Sequence, residues 1–160
     1  MTNIKTILLS IQEQLGECVP ELAYVDKDWG QLSFEQPSVN FPCALLDIEN
    51  INYSQQGNGQ QIADAQITVT VANLRLVSSS LLAPKKEVAY EVIDLLDRVH
   101  DALQLFSDRE YAPLFRTNLK KVVADSSKEC YKMTYQTAFS VSHDKGGDTA
   151  PAPGIRIDFK

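Results

Sequence analysis

The chain lacks most of the residue patterns that chemistry requires. Its three cysteines, Cys18, Cys43 and Cys130, are scattered and contain no CxxC pair. An odd number at such spacing argues against a disulfide framework and against a thiolate zinc site. Histidine is scarcer still: His100 and His143 stand alone, without a partner at metal-ligand spacing. No apolar run approaches the roughly 20 residues that cross a bilayer, so no membrane partner is expected. The opening Met1-Thr2-Asn3-Ile4-Lys5 has no basic start leading into an apolar block and a small-residue cleavage site. No secretory signal is therefore expected, and the protein is expected to remain in the compartment where it is made. Basic charge is also in deficit, with 15 Lys and Arg against 21 Asp and Glu, a net charge of −6. Nucleic-acid binders draw most of their affinity from neutralising phosphates, and the doublets Lys85-Lys86 and Lys120-Lys121 are too isolated to build a groove. No sequence-specific nucleic-acid binding is expected.

The residues left to carry chemistry have plainer explanations. His100 falls at the edge of a helical apolar stripe and is expected to be a boundary residue. His143 is expected to be exposed at a strand end beside Asp144. Neither accompanies a nucleophile-elbow sequence such as G-x-S-x-G. Asp47 and Glu49 share a strand face at i,i+2 and could hold a metal or water if buried together. The same spacing describes the wet side of a strand, and that is the expectation. Gly57-Asn58-Gly59 lacks both the later glycine and the strand–helix context of a dinucleotide fingerprint. The cysteines are expected to be small buried hydrophobes or inert surface thiols. The sequence thus predicts no catalytic, metal-binding or cofactor-binding residue, and a protein that is not an enzyme.

What is present is ordinary globular composition, 44% hydrophobic and 22% charged, at the length of one domain. Ile4, Ile7, Leu8, Ile11 and Leu15 form one stripe at helical period, with Thr2 or Asn3 to cap the start and Gly16 to stop it. Residues 17–41 are irregular, broken by Pro20, Gly30 and Pro37; a short strand is expected over 31–34, and Trp29 as a lid on the core. Pro42 introduces a strand in which Ala44, Leu46 and Ile48 share a face. Ile51 and Tyr53 continue on the other parity, which predicts a bulge near Glu49-Asn50. In the partner strand Ala65, Ile67, Val69 and Val71 alternate with Gln66, Thr68 and Thr70, predicting a hairpin with one wet face.

A second helix is expected over about 84–106, with Pro84 in its first turn. Val88, Val92, Leu96, Val99, Leu103 and Phe106 make its apolar stripe, and Asp94–Arg98 makes an i,i+4 pair on its outer face. A second hairpin is expected from residues 114–125 and 129–142. The fold class is therefore α+β: a largely antiparallel twisted sheet of about four to five strands with two amphipathic helices packed on one face. The expected organisation is a single domain over residues 1–142 and a flexible Gly/Pro linker with a terminal strand-like segment over 143–160.

Two features exceed what such a fold needs. Residues 54–61 contain no apolar side chain, and the segment is longer than the two residues of a tight hairpin turn. It is expected to project as a mobile loop, with Gln55, Gln56, Gly57, Asn58, Gly59 and Gln60 as contact residues. The terminal segment alternates, placing Ile155, Ile157 and Phe159 on one face when extended. Such a segment can add to a sheet edge in its own chain or in a neighbouring copy.

The order of elements resembles that of the tail terminator proteins of long-tailed bacteriophages, the lambda-like family of the minor tail protein U. The resemblance runs through the first amphipathic helix, the strand Phe41-Pro42-Cys43-Ala44-Leu45-Leu46, its partner across residues 63–71 and the long acidic helix. It ends with the strand around Thr134-Tyr135-Gln136-Thr137, and in all covers about residues 2–142. It rests on order and spacing. The tail after His143 and the length between Gly16 and Phe41 depart from the family pattern. The resemblance implies a virion assembly protein forming a hexameric homo-oligomeric ring on the tail tube, stopping its polymerisation and joining it to a head connector or neck protein. It implies location in the bacterial host cytoplasm during assembly, then in the virion tail. The bare residues equally suit a small monomeric protein-binding module of bacterial or prophage origin.

Overall fold

In the computed structural model, residues 3–122 and 127–143 are described. The expected linker and terminal segment, with Ile155, Ile157 and Phe159, lie outside the described residues apart from His143.

The first helix, α1, spans Ile4–Cys18, and the Asn3 side chain caps it by accepting from the Thr6 amide at 2.9 Å. It runs straight through Gly16, so the expected glycine stop is not used. The helix ends where Val19 leaves helical geometry, because a residue before proline, here Pro20, is disfavoured there. Ile7, Ile11 and Leu15 are buried from its stripe. Strand β1 (Tyr24–Lys27) follows, then a short 3-10 turn over Gln31–Ser33 where a strand was expected. Gln31 explains the turn: fully buried, it donates from Nε2 to the Lys27 carbonyl at 3.1 Å and accepts the Trp29 amide at 2.9 Å. A side chain holding its own backbone in this way competes with a ladder. Trp29 itself is 54% exposed and is no core lid.

Strands β2 (Cys43–Gly57) and β3 (Gln60–Leu74) form the long hairpin, with the predicted bulge between Ile48 and Asn50. The second helical region is not one helix but two, α2 (Lys86–Ala89) and α3 (Glu91–Leu103), separated at Tyr90. Pro84 precedes the capping residue Lys85 rather than entering the helix, and Phe106 lies beyond its end. Arg98 pairs with Glu21, not with Asp94. Strands β4 (Phe115–Val122) and β5 (Lys128–Ser142) are the last elements among the described residues.

The five strands run in the order β1-β2-β3-β5-β4; β1 is parallel to β2 and the rest are antiparallel. This is the expected α+β architecture. Ile7, Ile11, Leu95, Leu96, Val99 and Leu103 of α1 and α3 close over Ala44, Leu46, Ile67, Val69, Met133 and Tyr135 on one sheet face. His100 bridges the layers: its Nδ1 lies 2.9 Å from the hydroxyl of the fully buried Tyr135, with the rings stacked at 5.9 Å. The second face is drier than its alternation suggests. Cys43, Leu45, Ala72 and Cys130 form a second cluster under Leu32, Val39 and Phe41, and Thr68, Thr70 and Thr134 are buried. The irregular segment between β1 and β2 thus covers part of the face expected to be wet. Among the described residues no helix is long and apolar enough to cross a membrane.

Candidate assembly surface

The sheet is not evenly supported along its length. β3 pairs with β5 over the whole run from Gln60↔Ser142 to Leu74↔Lys128. β1 covers only residues 43–46 of β2, and β4 reaches along β5 only to Gln136. Beyond those limits β2, β3 and the end of β5 continue as a three-stranded arm. Its reach, from the Gln66↔Gln136 pair to Gln60 at the tip, is six residue steps, or about 20 Å at strand rise.

At the tip the chain turns through Asn58 and Gly59, at φ 53° and 73°, after Gly57 at φ 88°. Positive φ at both central residues is the two-residue hairpin turn that matches strand twist, and Asn-Gly is its preferred sequence. The eight-residue loop expected over 54–61 is therefore absent. Gln55 pairs with Gln61, Ser54 with Ile62 and Gly57 with Gln60, so the glutamines are strand residues. A backbone ladder can form beneath side chains that bury nothing, which is why lack of apolar residues misled. Residues 52–60 are nonetheless all exposed. The His143 amide donates to the Gly59 carbonyl at 3.0 Å, so β5 ends at the arm tip.

The arm has open edges. No described strand pairs with the outer side of β2 over residues 47–57, and Tyr53 there is 50% exposed. On the other side, the connection before β4 partly covers β5, with the Ala112 amide donating to the Ala138 carbonyl at 2.8 Å. Unpaired N–H and C=O groups in a row are a template for another strand.

The opposite end of β3 carries a surface that the sequence reading passed over. Leu76, Leu81 and Leu82 are each at least 78% exposed, in the connection between β3 and α2. The available signal was leucine in a serine-rich stretch with neither a helical nor a strand period, which leaves the side chains nothing of their own to pack against. Three leucines this exposed within seven residues leave apolar surface free for a partner.

Asp47 and Glu49 line an open concavity of about 680 Å³ on the second sheet face, with Asp28, Lys128 and Lys132. Lys132 lies 3.6 Å from Glu49, and Asp47 accepts the amide of the following Ile48. Among the described residues no group of three or more His, Cys, Asp or Glu side chains is placed to hold a metal ion. Burial pushes the Cys43 thiol up to about 12, far from a reactive thiolate.

No family model and no curated protein matches the chain. Its fold is shared with a chain from the virion of a native gene transfer agent (GTA) particle. The two superpose with a TM-score of 0.52 over 84% of this chain and 95% of that one, at 11% identity. At such identity the likeness is one of fold, and it spans most of this chain and nearly the whole of the other.

Proposed function

We propose that the protein is a virion assembly protein that caps the phage tail tube as a hexameric ring, stopping tube growth and joining the tail to the head connector. In this reading it works by assembly and not by catalysis, in the host cytoplasm and then in the virion tail. The observation that carries it is the three-stranded arm, open along β2, at one end of a molecule whose other end exposes Leu76, Leu81 and Leu82. Rings are built from two different surfaces on each copy, one meeting the other on the next copy until the circle closes. An arm at one end and an apolar patch at the other supply two such surfaces. The fold shared with a GTA virion chain supports placing this chain among particle components. The net acidic balance suits a lumen through which DNA must pass without adsorbing.

The test is polymerisation of tail-tube protein with and without this chain. Tubes that stop growing and carry a ring at one end support the proposal. Unaltered tube growth at saturating protein overturns it.

A further inference from the structure

The sheet has a second open edge. β4 ends the strand order, no described strand pairs with its outer side, and residues 117–121 are all exposed. Only its start is engaged there, where the Arg116 amide donates to the Gln104 side chain at 3.0 Å. β4 carries Arg116, Lys120 and Lys121 and no acid, whereas the open run of β2, residues 47–57, carries Asp47 and Glu49 and no base. The eight residues of β4 fit within that run.

Lys120 is the least satisfied charge on this edge. It lies directly opposite Lys132 across the β4–β5 ladder, and like charges so placed destabilise a strand pair. Lys132 is answered by Glu49 of its own copy at 3.6 Å, so these three side chains share the second sheet face. Lys121 lies over the Tyr131 ring, 5.9 Å from its centre. Among the described residues no acid pairs with Lys120.

We infer that the open edge of β2 on one copy pairs with β4 of the next, Asp47 and Glu49 of the first meeting Lys120 of the second. This rests on the ring reading and names what the open edge of the arm meets. Charge selects the pairing: two β2 edges would bring only acids together and two β4 edges only bases, and like charge across a contact costs association. Edge lysines ordinarily keep other strands away; a strand edged with acids is the one they admit. Apolar contact agrees on the opposite face. Leu119 opposes Met133 and Tyr53 opposes Ala63, so both half-exposed side chains project on the helix-covered side. β4 also runs toward the exposed leucines: Val122 lies opposite Cys130, close along β5 to Lys128, the partner of Leu74 at the end of β3. A contact of β2 with β4 leaves each copy one edge of either kind to pass on until the circle closes.

The test reverses one edge at a time in the full chain, at positions that are exposed. One variant carries Lys120→Glu and the other Glu49→Lys, and native mass is read across concentration for each alone and for the two mixed. Alone, each sets like charge against like at every junction, and its assembly concentration is expected to rise about tenfold. Mixed, alternating copies restore acid against base at every junction, and rings of both chains are expected near the native concentration. Recovery on mixing distinguishes a lost contact from a lost fold, and unchanged melting temperatures check the fold directly. Variants that assemble alone as the native chain does, or that stay apart when mixed, overturn the inference and leave the ring intact. Native assembly that does not weaken on adding sodium chloride, which screens exposed ion pairs, overturns it as well. A native chain that stays monomeric at high concentration, with and without tail-tube protein, overturns the inference and the ring reading together.

Discussion

Tyr135→Phe removes one hydroxyl from a fully buried ring and leaves the His100 Nδ1, 2.9 Å away, without that partner. Burial pushes the Tyr135 phenol up from its ordinary value, so it stays protonated and can donate to an unprotonated His100 nitrogen. Loss of such a bond costs about 0.5–1.5 kcal/mol, and more when the abandoned group is sealed from water. His100 is only partly buried and can rehydrate, so about 1 kcal/mol is expected. For a chain of this size that corresponds to a melting temperature lower by about 2–4 °C.

The same pair gives stability a pH dependence. Burial, and then the Arg116 charge, hold His100 below its ordinary value of 6.5, against the opposing pull of Asp101 and Asp97. The unfolded chain therefore takes up this proton first. The stabilisation is complete above about 6.5 and is lost as pH falls from there through the lower folded value. Urea titrations of the native chain, Tyr135→Phe and His100→Phe at pH 8 and below 6 measure both effects. Refutation would be Tyr135→Phe melting no lower than the native chain at pH 8, or His100→Phe keeping the full loss of stability on acidification.

Three further outcomes follow from the same geometry. At pH 8 a thiol reagent is expected to label exposed Cys18 quickly and the buried Cys43 and Cys130 only on unfolding, which mass spectrometry of labelled peptides resolves. Ile67→Ala, at a fully buried position on the helix-covered face, is expected to cost about 2–5 kcal/mol in urea denaturation. Gly59→Ala places a Cβ 2.8 Å from the His143 carbonyl oxygen in a residue held at φ 73°. It is expected to cost about 1–2 kcal/mol at the tip and to speed exchange of the His143 amide. The melting temperature is expected to fall by no more than about 2–8 °C, while assembly weakens.

The helices and the sheet were legible because their burial follows a period. Ile7, Ile11 and Leu15 at helical spacing, and Ala65, Ile67, Val69 and Val71 at strand spacing, pack where their pattern points. The bulge at Ile48/Asn50 was visible as a parity change. Three things were not legible from period alone. β1 is four residues long and takes its form from pairing with β2, a partner about twenty positions away in sequence. The helix break at Tyr90 carries neither Gly nor Pro, so no local breaker announced it. The tip of the arm, residues 54–61, was hidden because its side chains are exposed or only half-buried, which removes the hydrophobic alternation that marks a strand. Its one local signal was Asn58-Gly59, the hairpin turn dipeptide, inside what composition suggested was a loop. The exposure of these residues was thus readable, but their strand pairing was not.

The central claim is that identical copies close into a ring through the arm. Its most direct measurement is the native mass of the full chain across a wide range of concentration, compared with a chain whose arm is shortened by paired removal of Gln55, Gln56, Gln60 and Gln61. For the full chain the mass is expected to rise to a fixed hexamer and then stop, and the shortened chain is expected to be a folded monomer. A full chain that remains monomeric at high concentration, with and without tail tubes, or a shortened chain that still closes into rings, would contradict it.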